Sequence, residues 1–367
     1  MTRRRGGSPA PRRFPLCASR FLPHLAYLYC GAAVPLHSVL PIWSDHGETR
    51  GMSGRVLVTG GAGFIGSHIA EAYLEGGWEV VILDDLSRGH ERNVPKAARF
   101  VRADIRSPEA RKLVATGKFD AINHHAAQID VRVSVDQPAF DAGINVVGLV
   151  NLLEGAGEGG VKRVIFASSG GVVYGDPEVI PTPETAPKLP VSPYGVSKLS
   201  GEYYLRALGA LRGFEGVAMR YANVFGPRQD PKSEAGVVSI FVSRLLGKQK
   251  LTVFGDGKQT RDYVFVKDVA RANVLATSIT LPNTGEFDAP AFNIATSRQT
   301  NVLELAEAVG KVMQQKPELE FAPPRPGELF RSALDVGKAK RVMGWAPKWT
   351  FDDGLPLLVE WLRTEGR

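Results

Sequence analysis

The sequence predicts an α/β protein, a doubly wound parallel sheet carrying a smaller C-terminal lobe. Three observations lead there. From Arg55 onward short apolar runs alternate with stretches of helical length, the first run passes straight into a glycine cluster that opens a helix, and after Gly226 the alternation loosens into Pro-rich links. Alternation of this kind builds βαβ units, because two parallel neighbouring strands can be joined only by a crossover long enough to hold a helix.

In chain order the strand-like runs are RVLVT, WEVVIL, ARFV, FDAINH, KRVIFAS and GVAMRY. Beyond them VVSIFVSRLLGK reads as a helix, LTVF and YVFV as strands, and 301–315 and 352–363 as helices. Residues 1–52 are expected to be an extension, 53–225 the doubly wound domain and 226–367 mainly the smaller lobe, with 260–280 a candidate to return to the first domain.

The formal charge of +7 suggests a polyanion partner, but residues 1–51 hold seven arginines against only Asp45 and Glu48. The body keeps a surplus of +2, so no nucleic-acid partner is expected. Both cysteines, Cys17 and Cys30, also lie in the extension, which leaves the body no disulfide framework and no cysteine metal site. Arg20, His24, Pro35, His37 and Pro41 break the apolar stretches of the extension too often for a membrane span. Met52 reads as the natural start, with the upstream residues a mistranslated or disordered extension; the Arg-rich beginning also loosely imitates a targeting peptide. A cytoplasmic protein with no membrane partner and no metal is expected.

The first strand runs into GGAGFIG, giving Gly60, Gly63 and Gly66 at three-residue spacing, and then into the helix-like SHIAEAYLEGG. Glycines let the backbone turn tightly against a pyrophosphate, whose charge then sits at the positive end of the helix. A glycine cluster alone is a weak signal. Here the second strand, WEVVIL, ends in Asp84, eighteen residues beyond Gly66, where an acid can accept the ribose hydroxyls and repel a 2′-phosphate. The reading is therefore a Rossmann domain that binds NAD. Asp104 and Ile105, in VRADIR, stand where a carboxylate and an apolar side chain could meet adenine, although Asp104 could equally cap the turn that follows. Ala126 and Ala127, in HHAAQ, are small enough for close passage of the cofactor.

Two tyrosines are followed four residues later by a lysine: Tyr194 and Lys198 in SPYGVSK, Tyr263 and Lys267 in DYVFVKD. Ser192 and Pro193 begin a helix over 194–212, with Val196, Leu199, Tyr203, Leu205 and Leu208 at helical spacing. On a helix such a pair stacks on one face, roughly 6 Å apart at Cβ. The ammonium can then lower the phenol pKa and hold a ribose hydroxyl. DYVFVKD alternates as a strand, where four residues span roughly 13 Å, so the second pair should not act as one unit. At the end of the fifth strand Ser168 and Ser169 offer hydroxyls to a substrate oxygen.

With these features in this order, the sequence resembles the extended short-chain dehydrogenase/reductase family, and within it the NAD-dependent epimerases and dehydratases of nucleotide sugars. The resemblance covers roughly 54–365 and includes RYANVFGPRQDP, FGDGKQTRDYVFVKDV, FNIATSRQTNV, RPGE and GWAPKW. It implies that Tyr194 is the acid/base and also touches the cofactor, that Lys198 tunes it and binds the nicotinamide ribose, and that a strand-end hydroxyl assists. That hydroxyl usually stands four residues before the loop tyrosine, here Tyr174, where this chain has Gly170. Relatives with one more glycine make Ser169 a better match than Ser168. The resemblance also places Phe64, Ile65 and Tyr221 against the cofactor, and Asn223, Arg261, Arg325 and Glu328 against UDP. Guanidinium forks suit diphosphate oxygens, and Glu328 could accept from a uridine hydroxyl.

The implied reaction is epimerisation of a UDP-hexose at C4, glucose to galactose, through a transient 4-keto sugar, in a homodimer. UDP-N-acetylglucosamine or UDP-glucuronate remain alternative substrates. A 4,6-dehydratase would need an acidic pair, and a decarboxylating relative a glutamate, where Gly170 and Gly171 stand. A non-catalytic NAD-binding regulator is the reading from another class.

Overall fold

The structure, a computed structural model, describes residues 53–232, 236–325 and 329–365. The extension and Glu328 lie outside the described residues. The chain enters on β1 (Arg55–Thr59) and turns through the glycine cluster into α1 (Phe64–Glu75), then β2 (Glu79–Asp84), β3 (Arg99–Arg102), α2 (Pro108–Thr116) and β4 (Ala121–His124). Next come α3 (Val131–Asp136) and α4 (Pro138–Ala142), which passes through a π-helical stretch, Gly143–Gly148, into α5 (Leu149–Gly159). They are followed by β5 (Arg163–Ser169), the short α6 (Gly170–Val173), α7 (Pro193–Arg212), β6 (Glu215–Tyr221) and β7 (Asn223–Phe225). The remainder is α8 (Val237–Leu246), β8 (Leu251–Phe254), β9 (Thr260–Arg261), β10 (Tyr263–Phe265), α9 (Val266–Ala276), β11 (Ala291–Ile294), β12 (Thr300–Asn301), α10 (Val302–Met313), β13 (Leu319–Ala322), α11 (Gly337–Met343) and α12 (Phe351–Thr364).

Seven strands pair in parallel in the order β11-β6-β5-β4-β1-β2-β3. The winding reverses between β1 and β4, where Thr59 pairs with Leu83 on one side and His124 on the other. Connections leave that point in opposite directions, which opens a crevice at the strand ends. Alternate residues of β1 serve opposite faces. Val56 and Val58 pack with Ile69 and Tyr73 of α1, whereas Leu57 packs with Leu149 and Leu152 of α5 and Leu205 of α7. Each fully buried side chain of this kind contributes about 1.5–3 kcal/mol. A third core joins Phe241 and Leu245 of α8, Leu305 and Val309 of α10, and Leu355 and Leu358 of α12.

The chain returns to the large sheet twice. Helix α9 packs on α1, and β11 then adds the edge strand beside β6, beyond residue 280. DYVFVKD also differs from the uniform strand expected: β10 stops at Phe265 and Lys267 lies in the first turn of α9. Tertiary capture explains the early helix, because the buried Asp268 carboxylate accepts the backbone N–H groups of Lys348 and Trp349 at 2.9 Å. Lys267 Nζ sits 5.4 Å from the Trp349 ring centroid, while Tyr263 packs on Phe351. This Tyr/Lys pair is therefore engaged separately, by two aromatic partners from the C-terminal tail. Among the described residues no helix is long and apolar enough to cross a membrane.

Candidate active site

The crevice is shaped first by glycine. Gly60 has φ +67°, and a Cβ there would come within 2.6 Å of the Ala126 backbone nitrogen. Only glycine lets the exit of β1 pass so close to the chain leaving β4. At Gly66 a Cβ would lie 2.3 Å from the Gly60 carbonyl, so α1 rests directly on the loop. Gly63 caps α1, and its Cβ direction meets nothing nearer than Gly60 O at 3.1 Å. The helix opens with no side-chain cap and no acid in its first turn, which leaves N–H groups to face an anion. Phe64 and Ile65, its first residues, are half-buried, as are Ala126 and Ala127 beyond β4.

Asp84 closes one end of the crevice. Its carboxylate accepts from Ala62 N at 3.0 Å and from Leu86 N at 2.8 Å, one bond to each oxygen. Each oxygen keeps a further lone pair that a ribose hydroxyl can use. Burial raises its pKa, against the pull of those two bonds. Asp104 is clasped by the Arg106 guanidinium at 2.6 Å and accepts Arg106 N at 2.8 Å; Ser107, not Asp104, caps α2. Ile105 is turned into the core, where a Cβ on Gly148 would meet its Cδ1 at 2.6 Å. Glycine loop, uncapped helix and Asp84 together fit a dinucleotide.

Helix α7 carries the reacting pair. Ser192 caps it by accepting from Gly195 N, and Tyr194 N donates to Ser134 Oγ of α3 at 3.1 Å. One turn later Lys198 is buried, donating from Nζ to Ala167 O of β5 at 2.9 Å and lying 5.6 Å from the Tyr194 ring centroid. Burial lowers Lys198 to about 8, with the Asp141 charge opposing. The phenol departs from expectation: burial first, and Asp141 second, push Tyr194 above its ordinary range. In the protein by itself desolvation outweighs the neighbouring ammonium.

The two serines separate cleanly. Ser168 Oγ donates to Glu202 Oε1 at 2.5 Å and is buried. Ser169 is half-buried at the strand end, and its hydroxyl has no hydrogen bond among the described residues; the same holds for the Tyr194 hydroxyl. On the neighbouring strand Tyr221 pairs in register with Ser169. Its hydroxyl is committed, accepting from Asn273 Nδ2 at 2.8 Å and lying 3.0 Å from His125 Nε2.

Beyond β6 the chain reaches Asn223, whose backbone N–H donates to Asp262 O at 2.9 Å, setting it beside β9 and β10. Arg261 directly precedes that Asp262. Arg325 is exposed after β13, its guanidinium 4.0 Å from the Phe254 ring centroid. Sequence reasoning missed one group, the buried polar cluster behind α7. Asp141 Oδ1 accepts from Gln128 Nε2 and Asn145 Nδ2, each at 2.9 Å, and Oδ2 from Ser197 Oγ at 2.6 Å. Its only sequence signal was Asp141 and Asn145 four apart in a helical stretch. Among the described residues no cluster of His, Cys, Asp and Glu could hold a metal.

This architecture has close relatives. A UDP-glucose 4-epimerase of Mycolicibacterium smegmatis is 45% identical over 318 residues, covering 85% of this chain and 100% of the relative. The crystal structure of UDP-glucose 4-epimerase with UDP-glucose from Thermotoga maritima superposes with a TM-score of 0.80 at 43% identity, covering 84% of this chain and 98% of that one. The Thermus thermophilus UDP-glucose 4-epimerase in complex with NAD gives 0.78 at 43% identity, covering 85% and 99%. The model of the NAD dependent epimerase/dehydratase family matches residues 56–295. By that match, and by its relatives over most of its length, the chain belongs to the NAD-dependent epimerase/dehydratase family.

Proposed function

We propose that this protein interconverts UDP-glucose and UDP-galactose by epimerisation at C4. The observation that carries the reading is the placement of Tyr194 and Lys198 on one face of α7, with Lys198 tied to β5 at Ala167 and Ser169 two residues further on. NAD, when bound, accepts a hydride from C4 and returns it. Gly60, Gly63, Gly66, Phe64, Ile65, Ala126 and Ala127 line its crevice, and Asp84 offers its remaining lone pairs to the ribose. Tyr194 takes the proton of the sugar 4-hydroxyl and gives it back, Ser169 donates to the same oxygen, and Lys198 keeps positive charge beside the phenol. The sugar passes through a 4-keto state, and a turn of that intermediate exposes its other face. Asn223, Arg261, Arg325 and Glu328 are assigned to UDP.

Incubation of the protein with UDP-glucose, UDP-galactose and their N-acetyl forms, with products resolved by NMR, tests this. UDP-galactose from UDP-glucose, with no net change in NAD, is the expected result. Conversion only of the N-acetyl forms would move the substrate assignment, and loss of water from the sugar would replace the epimerase by a dehydratase.

We also propose a cytoplasmic homodimer. Phe140 and Val147, on the run from α4 to α5, and Val196, Tyr203 and Leu211 on α7 are exposed, an apolar surface on two helical segments that pack together. Sedimentation of a monomer at micromolar concentration would contradict it.

A further inference from the structure

The cluster behind α7 contains a charge that the reading above does not use. Asp141 is fully buried, and three neutral donors converge on its carboxylate: Gln128 Nε2, Asn145 Nδ2 and Ser197 Oγ. Three donors on two oxygens is the pattern an acceptor-only, ionised carboxylate takes. A buried carboxylate without a cation in contact is costly, so its nearest positive charge matters. Ser197 immediately precedes Lys198, and the hydroxyl-to-carboxylate bond fixes α4 against that turn of α7.

The other groups facing this turn do not supply a counter-charge. His124 and His125, after β4, are held neutral by burial, His124 down at about 3. Arg220 of β6 is closed on Glu202 of α7 at 2.6 Å and on Asp288. Asp130 caps its own helix, accepting from Arg132 N and Val133 N. Tyr174, following α6, is buried and raised by that burial. Among the described residues packed here, Asp141 is left as the carboxylate with no cation in contact.

We propose that Asp141 is a positioning residue that serves as the fixed counter-charge of the Tyr194–Lys198 pair, keeping Lys198 protonated in its buried place. This rests on the assignment of that pair to the reaction. The direction of the effects agrees, since the Asp141 charge raises both Lys198 and Tyr194. Removing a negative charge eases proton loss from an ammonium and a phenol alike. Both midpoints should therefore fall together, a signature that loss of packing alone does not produce.

Asp141→Asn is the test, because the amide keeps the Oδ1 acceptor for Gln128 and Asn145 and can donate to Ser197 Oγ in place of accepting. In the NAD-loaded protein the acid and alkaline limbs of the pH–kcat profile are expected to move to lower pH by about one unit, what a single charge exerts across roughly 12 Å at an effective dielectric near 20. Limbs that stay within ~0.2 unit of the parent, or move to higher pH, overturn the proposal, that change being too small for a charge so placed. An activity-independent reading comes from 15N NMR titration of the lysine Nζ groups, with Lys198 assigned by Lys198→Met. There the Lys198 midpoint should fall in Asp141→Asn, and an unchanged midpoint would sink the idea even if the wild type turned over no UDP-hexose. Should Asp141→Asn not fold, Asp141→Ser gives the same two readings with water in the vacated space.

Discussion

Tyr194→Phe should cost about 10³-fold in kcat, within the range that a positioned acid/base supplies, while the protein still purifies with NAD. The two halves of this expectation rest on different observations. The phenol oxygen makes no hydrogen bond among the described residues, so its removal orphans no partner, and the ring stays packed beside Lys198. Folding and the glycine crevice should therefore be undisturbed. Catalysis should not, because the other hydroxyl here without a partner among the described residues is that of Ser169, an aliphatic alcohol and a far weaker acid than a phenol. Ser169→Ala, in the same NMR assay, should show a smaller loss than Tyr194→Phe. A Tyr194→Phe protein that keeps turnover within about tenfold of the parent would place the proton transfer elsewhere. A protein that loses NAD instead would make Tyr194 a cofactor ligand first.

How much of this was readable beforehand depends on which physical signal each element uses. The six strand-like runs of the wound domain all became strands; in the central ones residues buried on both faces leave a nearly unbroken apolar record, whereas the edge strand β3 has exposed ends and only half-buried Phe100 and Val101 between them. The glycine loop was legible for a related reason, since the positive φ of Gly60 and the close approach to Ala126 tolerate little else. On α7 the boundaries and cap were legible and the buried face was not. Val196 and Tyr203, which fit the apolar spacing, are exposed, whereas Gly195, Ser197, Lys198, Gly201 and Glu202 are buried. A helix that buries polar residues through specific partners leaves no hydrophobic stripe to detect. Its close approach to the sheet is instead recorded in Gly201, where a Cβ would meet the Phe166 ring at 2.6 Å. Beyond the local Asp141–Asn145 pair, the Asp141 cluster was invisible for the same reason, as Gln128 and Ser197 reach it only in three dimensions. Asp104 and Ile105 had a legible pattern, whereas the Arg106 bonds to the Asp104 carboxylate and the packing of Ile105 on Gly148 could not be predicted from spacing.

Glu202→Ala should destabilise the fold by about 3–5 kcal/mol, the cost of leaving a buried charge without its partner. Arg220 is fully buried, and its guanidinium meets Glu202 through Nε at 3.0 Å and Nη2 at 2.6 Å, and also reaches Asp288 at 2.7 Å, the Tyr174 hydroxyl at 3.0 Å and the Glu184 carbonyl at 3.2 Å. Truncating Glu202 removes the bidentate partner and orphans Ser168 Oγ as well. Urea unfolding at neutral pH measures the loss. The double change Glu202→Leu with Arg220→Met should recover most of it, since removing both charges is far cheaper than stranding one. Glu202→Ala within about 1 kcal/mol of the parent would mean that Asp288 alone satisfies the arginine, and that the pair adds no more than a surface bridge. The double variant also separates stability from chemistry. Glu202 lies one turn beyond Lys198, and its partner Ser168 directly precedes Ser169, so the Glu202 carboxylate fixes the register of α7 against the end of β5. Even with stability restored, kcat should stay below that of the parent, because the hydroxyl and the Tyr194–Lys198 pair would have lost the bond that holds them in common alignment.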